Sequence, residues 1–120
     1  VYSGSASVGV TYSPWGGLYF AHVGQATASY KTIRLFVNGG TRTNPLLNLY
    51  ATFSGGSNGT SVRLNSSCTG GRIPTNAWVQ CEVPLTSLGA SNKTVTGFVI
   101  QEAAGVSLPR LYVDEVSLRP

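Results

Sequence analysis

Residues 31–40 read KTIRLFVNGG, and they decide the fold because apolar and polar side chains alternate along them with a period of two. One face of this segment is apolar and would point into a core; it consists of Ile33, Leu35 and Val37. The other face would point outward; it consists of Arg34, Phe36 and Asn38. The glycine pair that follows ends the segment, so the pattern predicts a strand with one buried face.

The same alternation recurs along the chain between turns rich in Gly and Pro. It is found at residues 5–12, 18–22, 46–53, 61–64, 78–85, 97–102 and 111–118. Strands that recur roughly every ten residues predict an antiparallel β-sandwich. With 120 residues, 15 Gly and 6 Pro, the chain is expected to form a single all-β domain over residues 1–120, without a long helix.

Composition excludes several classes of protein. The chain is 42% hydrophobic and only 10% charged, which is unlike a disordered chain, and it has no apolar run long enough to span a membrane. Its net charge is +4, but the basic residues are dispersed, whereas nucleic-acid binders concentrate them. We therefore expect no nucleic-acid partner, while a mild attraction to acidic polymers, including uronic-acid polysaccharides, stays open.

The sequence contains two cysteines, Cys68 and Cys81, and one histidine, His22. That is too few ligands for a typical zinc site. A disulfide joining a polar loop to a strand is favoured, with two free buried thiols as the alternative.

Three glycosylation sequons lie in segments with turn composition, where an acceptor would be accessible. Their acceptors are Asn58, Asn65 and Asn92. Together with the cysteine pair, they favour a secreted, extracellular glycoprotein. The first residues lack the features of a signal peptide, so we expect a mature or excised piece of a longer precursor.

The outward positions of several predicted strands are aromatic or amide-bearing rather than charged. Examples are Phe36, Tyr50 and Gln101. Pyranose rings have apolar C–H faces that stack on aromatic rings and hydroxyls that pair with amides, so such a face suits a sugar. The alternative is a second core layer that a loop or another domain covers.

Several segments, taken in order, resemble a jelly-roll carbohydrate-binding module of the kind appended to secreted glycoside hydrolases. They are WGGLY at 15–19, FVNGG at 36–40, WVQ at 78–80, VPLTSLG at 83–89, GFVIQ at 97–101 and LYVDEVSL at 111–118. The resemblance covers most of the chain and implies a jelly roll that binds polysaccharide without catalysis, as a piece of a larger carbohydrate-active enzyme.

Related modules begin with an extra strand that this chain lacks. The resemblance therefore predicts a jelly roll without its first strand, whose open sheet edge is filled by a missing N-terminal segment or by a neighbouring chain. This gives an alternative function, a structural extracellular glycoprotein subunit that assembles by edge-strand complementation.

Strand parity and the resemblance together predict a carbohydrate-binding face on one sheet. Its predicted members are Trp15, Tyr19, Phe36, Asn38, Asn48, Tyr50 and Gln101. Trp15 and Tyr19 would lie at the rim and Asn38 at a strand end. The alternative for Trp15 is a ring folded over the edge of the sandwich.

Asp114 is the candidate metal ligand. It is in phase with Val116 and Leu118, and a carboxylate on an inward face must be paired or bound to metal. The resemblance implies a structural Ca²⁺ at this aspartate, and a buried, hydrogen-bonded Asp is the alternative.

The four acids of the chain offer no obvious catalytic pair. Asp114 and Glu115 are neighbours on one strand and would point to opposite faces, and Glu82 and Glu102 have no obvious partner. We therefore expect no enzyme; a small hydrolase or lyase domain is the competing hypothesis.

Overall fold

The computed structural model describes residues 8–120, apart from the side chains of residues 21–23, which include His22. Residues 5–7 of the first predicted strand lie outside this range. Eight strands are present in it: β1 (Val8–Tyr12), β2 (Gly17–Ala26), β3 (Thr32–Asn38), β4 (Leu47–Phe53), β5 (Val62–Arg63), β6 (Trp78–Pro84), β7 (Thr94–Glu102) and β8 (Leu108–Arg119).

The strands form two four-stranded sheets, and every strand pair is antiparallel. One sheet, called here the β1 sheet, has the order β1-β8-β3-β6. The other, the β2 sheet, has the order β2-β7-β4-β5. The predicted all-β antiparallel sandwich is confirmed.

Helices within residues 8–120 are limited to three 3₁₀ segments of three or four residues. They are Leu64–Ser67, Thr69–Gly71 and Leu85–Leu88. None of the helices in this range is long and apolar enough to cross a membrane.

The alternation in β3 and β4 produces the core between the sheets. The apolar residues of β3, predicted to face inward, are at most 1% exposed, as are Leu47 and Leu49 in β4. Burying one such side chain stabilises the fold by roughly 2 kcal/mol. Tyr12 crosses between the sheets, because its hydroxyl donates to the carbonyl oxygen of Ile100 in the opposite sheet (2.8 Å). Burial also raises the pKa of Tyr12.

The disulfide between Cys68 and Cys81 is present and confirms that prediction. It fastens the loop after the first 3₁₀ segment to the centre of β6.

Asn65 corrects the prediction of an accessible glycosylation acceptor at this position. The residue is 4% exposed. Its Nδ2 donates to Asn44 Oδ1 and to the carbonyl of Pro45, both at 2.8 Å, and its Oδ1 accepts from the Leu47 amide. The amide that a glycan would occupy is therefore used to hold the loop before β4. Asn58 and Asn92 are exposed, and their glycosylation stays a prediction.

A cleft of about 380 Å³ opens between the sheets beside β2 and the end of β8. Its lining is mainly apolar and includes Phe20, Tyr30, Phe98, Val116 and Leu118. β1 pairs with β8 from Leu108 to Val113, and β3 pairs with β8 from Tyr112 to Arg119.

Candidate functional site

The outer face of the β2 sheet carries two parallel rows of side chains. In the first row, Asn48 is the register partner of both Arg63 and Gln101. In the second, Val99 is the register partner of both Tyr50 and Tyr19. We call these the polar row (Arg63, Asn48, Gln101) and the tyrosine row (Tyr50, Val99, Tyr19). They are adjacent because side chains two residues apart share a face of a strand.

Tyr19 lies across the neighbouring strand rather than pointing away from the sheet. Its ring occupies the space above Gly97, where any added Cβ would overlap it. Its hydroxyl reaches Thr52 Oγ1 (3.3 Å) and the carbonyl of Thr96 (3.2 Å). Because Gly97 has no side chain, the Tyr19 ring fits above it, and Tyr19 keeps 50% of its surface exposed.

Trp15 lies in the turn between β1 and β2, at the end of the polar row. Its φ of 61° is in the left-handed region, which is uncommon for a bulky residue. Its carbonyl accepts from Gln101 Nε2 (3.0 Å), and its amide donates to Glu102 Oε1 (3.0 Å). The ring packs against Gly105 and is 58% exposed.

Glu102 is the residue behind this turn. The side chain is 0% exposed, and besides the Trp15 amide its carboxylate accepts from the amides of Ala104, Gly105 and Val106 at 2.6–2.9 Å. Burial acts to raise the pKa of Glu102, but the four amide donors outweigh it and leave the pKa below its ordinary value. The sequence showed no partner for this acid, since its partners are backbone groups of two turns.

Arg63 is the member of the face that the sequence did not single out. Its Nε donates to Asn48 Oδ1 (2.9 Å), and the residue is exposed. Only the pairing of β5 with β4 brings it into the polar row, and β5 is just two residues long.

Two predicted members of the face lie elsewhere. Phe36 and Asn38 are on the outer face of the β1 sheet, where Phe36 is opposite Gln80 and Asn38 is opposite Trp78. The prediction that Phe36 shares a sheet with Asn48, Tyr50 and Gln101 is wrong. Parity showed correctly that it faces outward, but a sandwich has two outer faces.

Asp114 faces outward, so the prediction of an inward carboxylate is also wrong. It is opposite Phe36 in the register, and Ser117 is opposite Arg34. A bulge between them contains Glu115 at a φ of 51°, and this extra residue reverses the phase of β8. Val116 and Leu118 therefore line the cleft, while Asp114 does not share their side.

The residues with described side chains contain no group of three or more His, Cys, Asp or Glu that could hold a metal ion. Asp114 Oδ1 accepts the amide of Glu115 (2.8 Å). Structural calcium at Asp114 stays a prediction. The argument from an inward-facing carboxylate does not support it.

Glu82 lies on the outer face of the β1 sheet, where two side chains of β3 bind its carboxylate. The Thr32 hydroxyl donates to it (2.5 Å), and Arg34 forms an ion pair with it at 3.5 Å. The hydrogen bond from Thr32 is the largest influence and, with the Arg34 charge, keeps the pKa of Glu82 below its ordinary value against the effect of burial.

Two solved structures share this fold. A family 11 carbohydrate-binding module from Clostridium thermocellum, in complex with a β-1,3-1,4-mixed-linked tetrasaccharide, matches with a TM-score of 0.67 and 14% identity. The match covers 94% of this chain and 75% of that one. A family 28 carbohydrate-binding module specific for non-crystalline cellulose matches with a TM-score of 0.54 and 12% identity, over 94% and 74% of the two chains.

At these identities the likeness establishes the fold, and it confirms the predicted jelly roll. No protein-family model matches the sequence. No curated protein matches it either.

Proposed function

We propose that this protein binds a polysaccharide, without catalysis, through the outer face of the β2 sheet. The observation that carries the proposal is the placement of Trp15 and Tyr19. They are the two most exposed large hydrophobic side chains among the described residues. Trp15 lies at the end of the polar row, and Tyr19 belongs to the adjacent tyrosine row, with its ring turned toward Gly97. Exposed aromatic surface beside convergent amides is typical of a ligand site rather than of an ordinary solvent face.

The dimensions favour a polymer over a single sugar. The polar row crosses three adjacent strands, which places the Cα atoms of Arg63 and Gln101 about 10 Å from each other. A chain running along this row would meet Asn48 and Gln101, with Trp15 at the end of the row and the tyrosine row alongside. The rings would supply stacking, and the amides would fix the orientation of the hydroxyls.

The outer face of the β1 sheet is the weaker candidate. Phe36, Trp78 and Tyr112 lie on it, but all three are half-buried, and the face also carries the ion pair between Arg34 and Glu82. An exposed ring can stack on a sugar without displacing protein contacts. Tyr50 is half-buried as well, so it is the exposure of Trp15 and Tyr19 that favours the β2 sheet.

The similar structures support the proposal at the level of ligand class. Both are carbohydrate-binding modules, one complexed with a mixed-linked tetrasaccharide and one specific for non-crystalline cellulose. The disulfide and these likenesses also support a secreted protein, because disulfides persist in oxidising compartments.

The test is binding to a panel of soluble and insoluble polysaccharides by affinity electrophoresis and pull-down. Trp15→Ala and Tyr19→Ala should each weaken binding by roughly two- to tenfold, the range expected for loss of about 0.5–1.5 kcal/mol of aromatic contact. Tyr112→Ala is the matched control, because its ring lies against Gly9 on the opposite sheet. If only the control variant weakens binding, the proposed face is wrong.

A second function is favoured by the cleft, whose apolar lining includes Val116 and Leu118. An apolar strand of a neighbouring chain could dock there. The protein would then be a subunit that assembles by edge-strand complementation. Light scattering over a range of concentrations tests this: a monomer throughout would count against it, and a defined oligomer or filament would favour it.

A further inference from the structure

Negative charge is distributed very unevenly between the two sheets. The chain has four acidic residues, and three of them, Glu82, Asp114 and Glu115, lie on β6 and β8 of the β1 sheet. The fourth, Glu102, belongs to β7 but faces inward and is fully buried under two turns. The outer face of the β2 sheet therefore carries no carboxylate.

Among the described side chains, the same face carries one cation. Arg63 stands at the end of the polar row, where its Nε donates to Asn48 Oδ1 (2.9 Å). Within the described part of the chain, its two Nη groups have no hydrogen-bond or ion-pair partner. The amide contact reduces the freedom of the guanidinium, and the free edge of the fork remains available for a planar acceptor.

We infer that the preferred ligand of this face is a polysaccharide containing uronic acid residues, with Arg63 binding a carboxylate at one end of the polar row. This rests on the proposed function and adds the chemical class of the ligand. A carboxylate matches the two Nη donors in a bidentate contact, and no acid on the face repels it. The net charge of +4 also attracts an anionic polymer at low salt.

The experiment compares one polyuronate with its own carboxyl-reduced form, which has the same linkages without the charges. The parent protein should bind the polyuronate about fivefold more tightly, as expected for an exposed arginine–carboxylate pair. Raising the salt concentration should reduce this preference. Arg63→Gln should remove most of it while leaving the affinity for the carboxyl-reduced polymer unchanged.

Arg110→Gln is the matched control. Arg110 is also exposed, and it lies on β8 in the opposite sheet, so its substitution removes the same charge away from the polar row. It should keep the preference for the polyuronate. A sulfated polysaccharide completes the panel, because a purely electrostatic attraction would favour it as strongly as the polyuronate and would decrease equally in both variants.

The outcomes distinguish a failure of the uronic-acid inference from a failure of the proposed polysaccharide binding. Equal affinity for the polyuronate and its reduced form, or equal effects of the two arginine variants, would overturn the inference and leave the proposed function standing. The absence of binding to every polymer of the panel would overturn the proposed function itself.

Discussion

Glu102 offers the sharpest test of how the site is built, because one buried carboxylate joins two turns. Its Oε1 accepts from the amides of Trp15, Gly105 and Val106, and its Oε2 accepts from Ala104. Glu102→Gln keeps one oxygen and the shape of the side chain. It removes the charge, and if that oxygen takes the Oε1 position, the new amide group meets the Ala104 donor.

The expected loss of unfolding free energy for Glu102→Gln is about 1–3 kcal/mol, the usual range when a buried polar group is left without its partner. Glu102→Ala should cost more, since four donors lose their acceptor. This loss of unfolding free energy should still be smaller than the sum expected for four unpaired donors. Trp15, Ala104 and Val106 are exposed residues, so water can reach their amides after the turns relax. Urea denaturation at neutral pH measures both values.

The pH dependence identifies the carboxylate as the cause. The folded-state pKa of Glu102 is lowered from its ordinary value of 4.5, so the ionised form stabilises the fold at pH values above that number. This contribution is lost as the pH falls through the folded-state pKa. The parent should therefore lose stability over this acidic range by a component that Glu102→Gln lacks.

Binding supplies the second measurement. If Glu102 acts by holding the turn, Glu102→Gln should weaken polysaccharide binding in the parent background and have little further effect in a Trp15→Ala background. Equal stability of Glu102→Gln and the parent, with the same acid dependence, would refute the reasoning. So would full additivity of the two substitutions in binding.

Three further predictions follow from particular contacts. Reduction of the Cys68–Cys81 disulfide should lower the free energy of unfolding by roughly 3 kcal/mol, measured by urea denaturation with and without reductant; an unchanged midpoint would contradict it. Asn65→Ala should destabilise the fold by about 2 kcal/mol or more, because it leaves the donors and acceptors of the loop before β4 unpaired. Peptide mapping of secreted protein should find Asn65 without a glycan, and a glycan there would disprove its burial. Gly97→Ala should lower thermal stability, because the new Cβ overlaps both the Tyr19 ring and the carbonyl of Phe20, and it should weaken polysaccharide binding by displacing the ring. Unchanged binding would show that the position of the ring does not depend on this glycine.

The sequence predicted the fold well because local alternation carries most of the information for a sandwich. Parity in β3 and β4 correctly separated Ile33 from Phe36 and Leu49 from Tyr50. It could not assign Phe36 to a sheet, since that depends on pairing with β6 and β8, which are far away in the chain. The prediction of which β8 side chains face inward was wrong for a related reason. The bulge at Glu115 arises from the pairing of β8 with β3, and no Gly, Pro or other turn residue marks it in the sequence.

The candidate site was predictable in its rings and amides but not in the groups that fix them. Tyr50, Asn48 and Gln101 follow from parity on two strands. Arg63 enters only through a two-residue strand. Glu102 accepts from backbone amides of the turn that follows it and of the distant Trp15 turn, and backbone amides leave no side-chain signature in the sequence.

The way in which Trp15 is held bears on how the protein would bind. Its left-handed backbone conformation is unfavourable for a tryptophan, and two hydrogen bonds hold it, one from Gln101 to its carbonyl and one from its amide to Glu102. Tyr19 is likewise fixed over Gly97 by its ring contact and its hydroxyl. Because protein contacts hold the Tyr19 ring and the backbone of Trp15, little conformational entropy should be lost when a sugar stacks on the two rings. The local strain at Trp15 and the burial of a charged Glu102 both cost stability, and the hydrophobic core needs neither of them. Holding the binding face in place explains why the fold contains them.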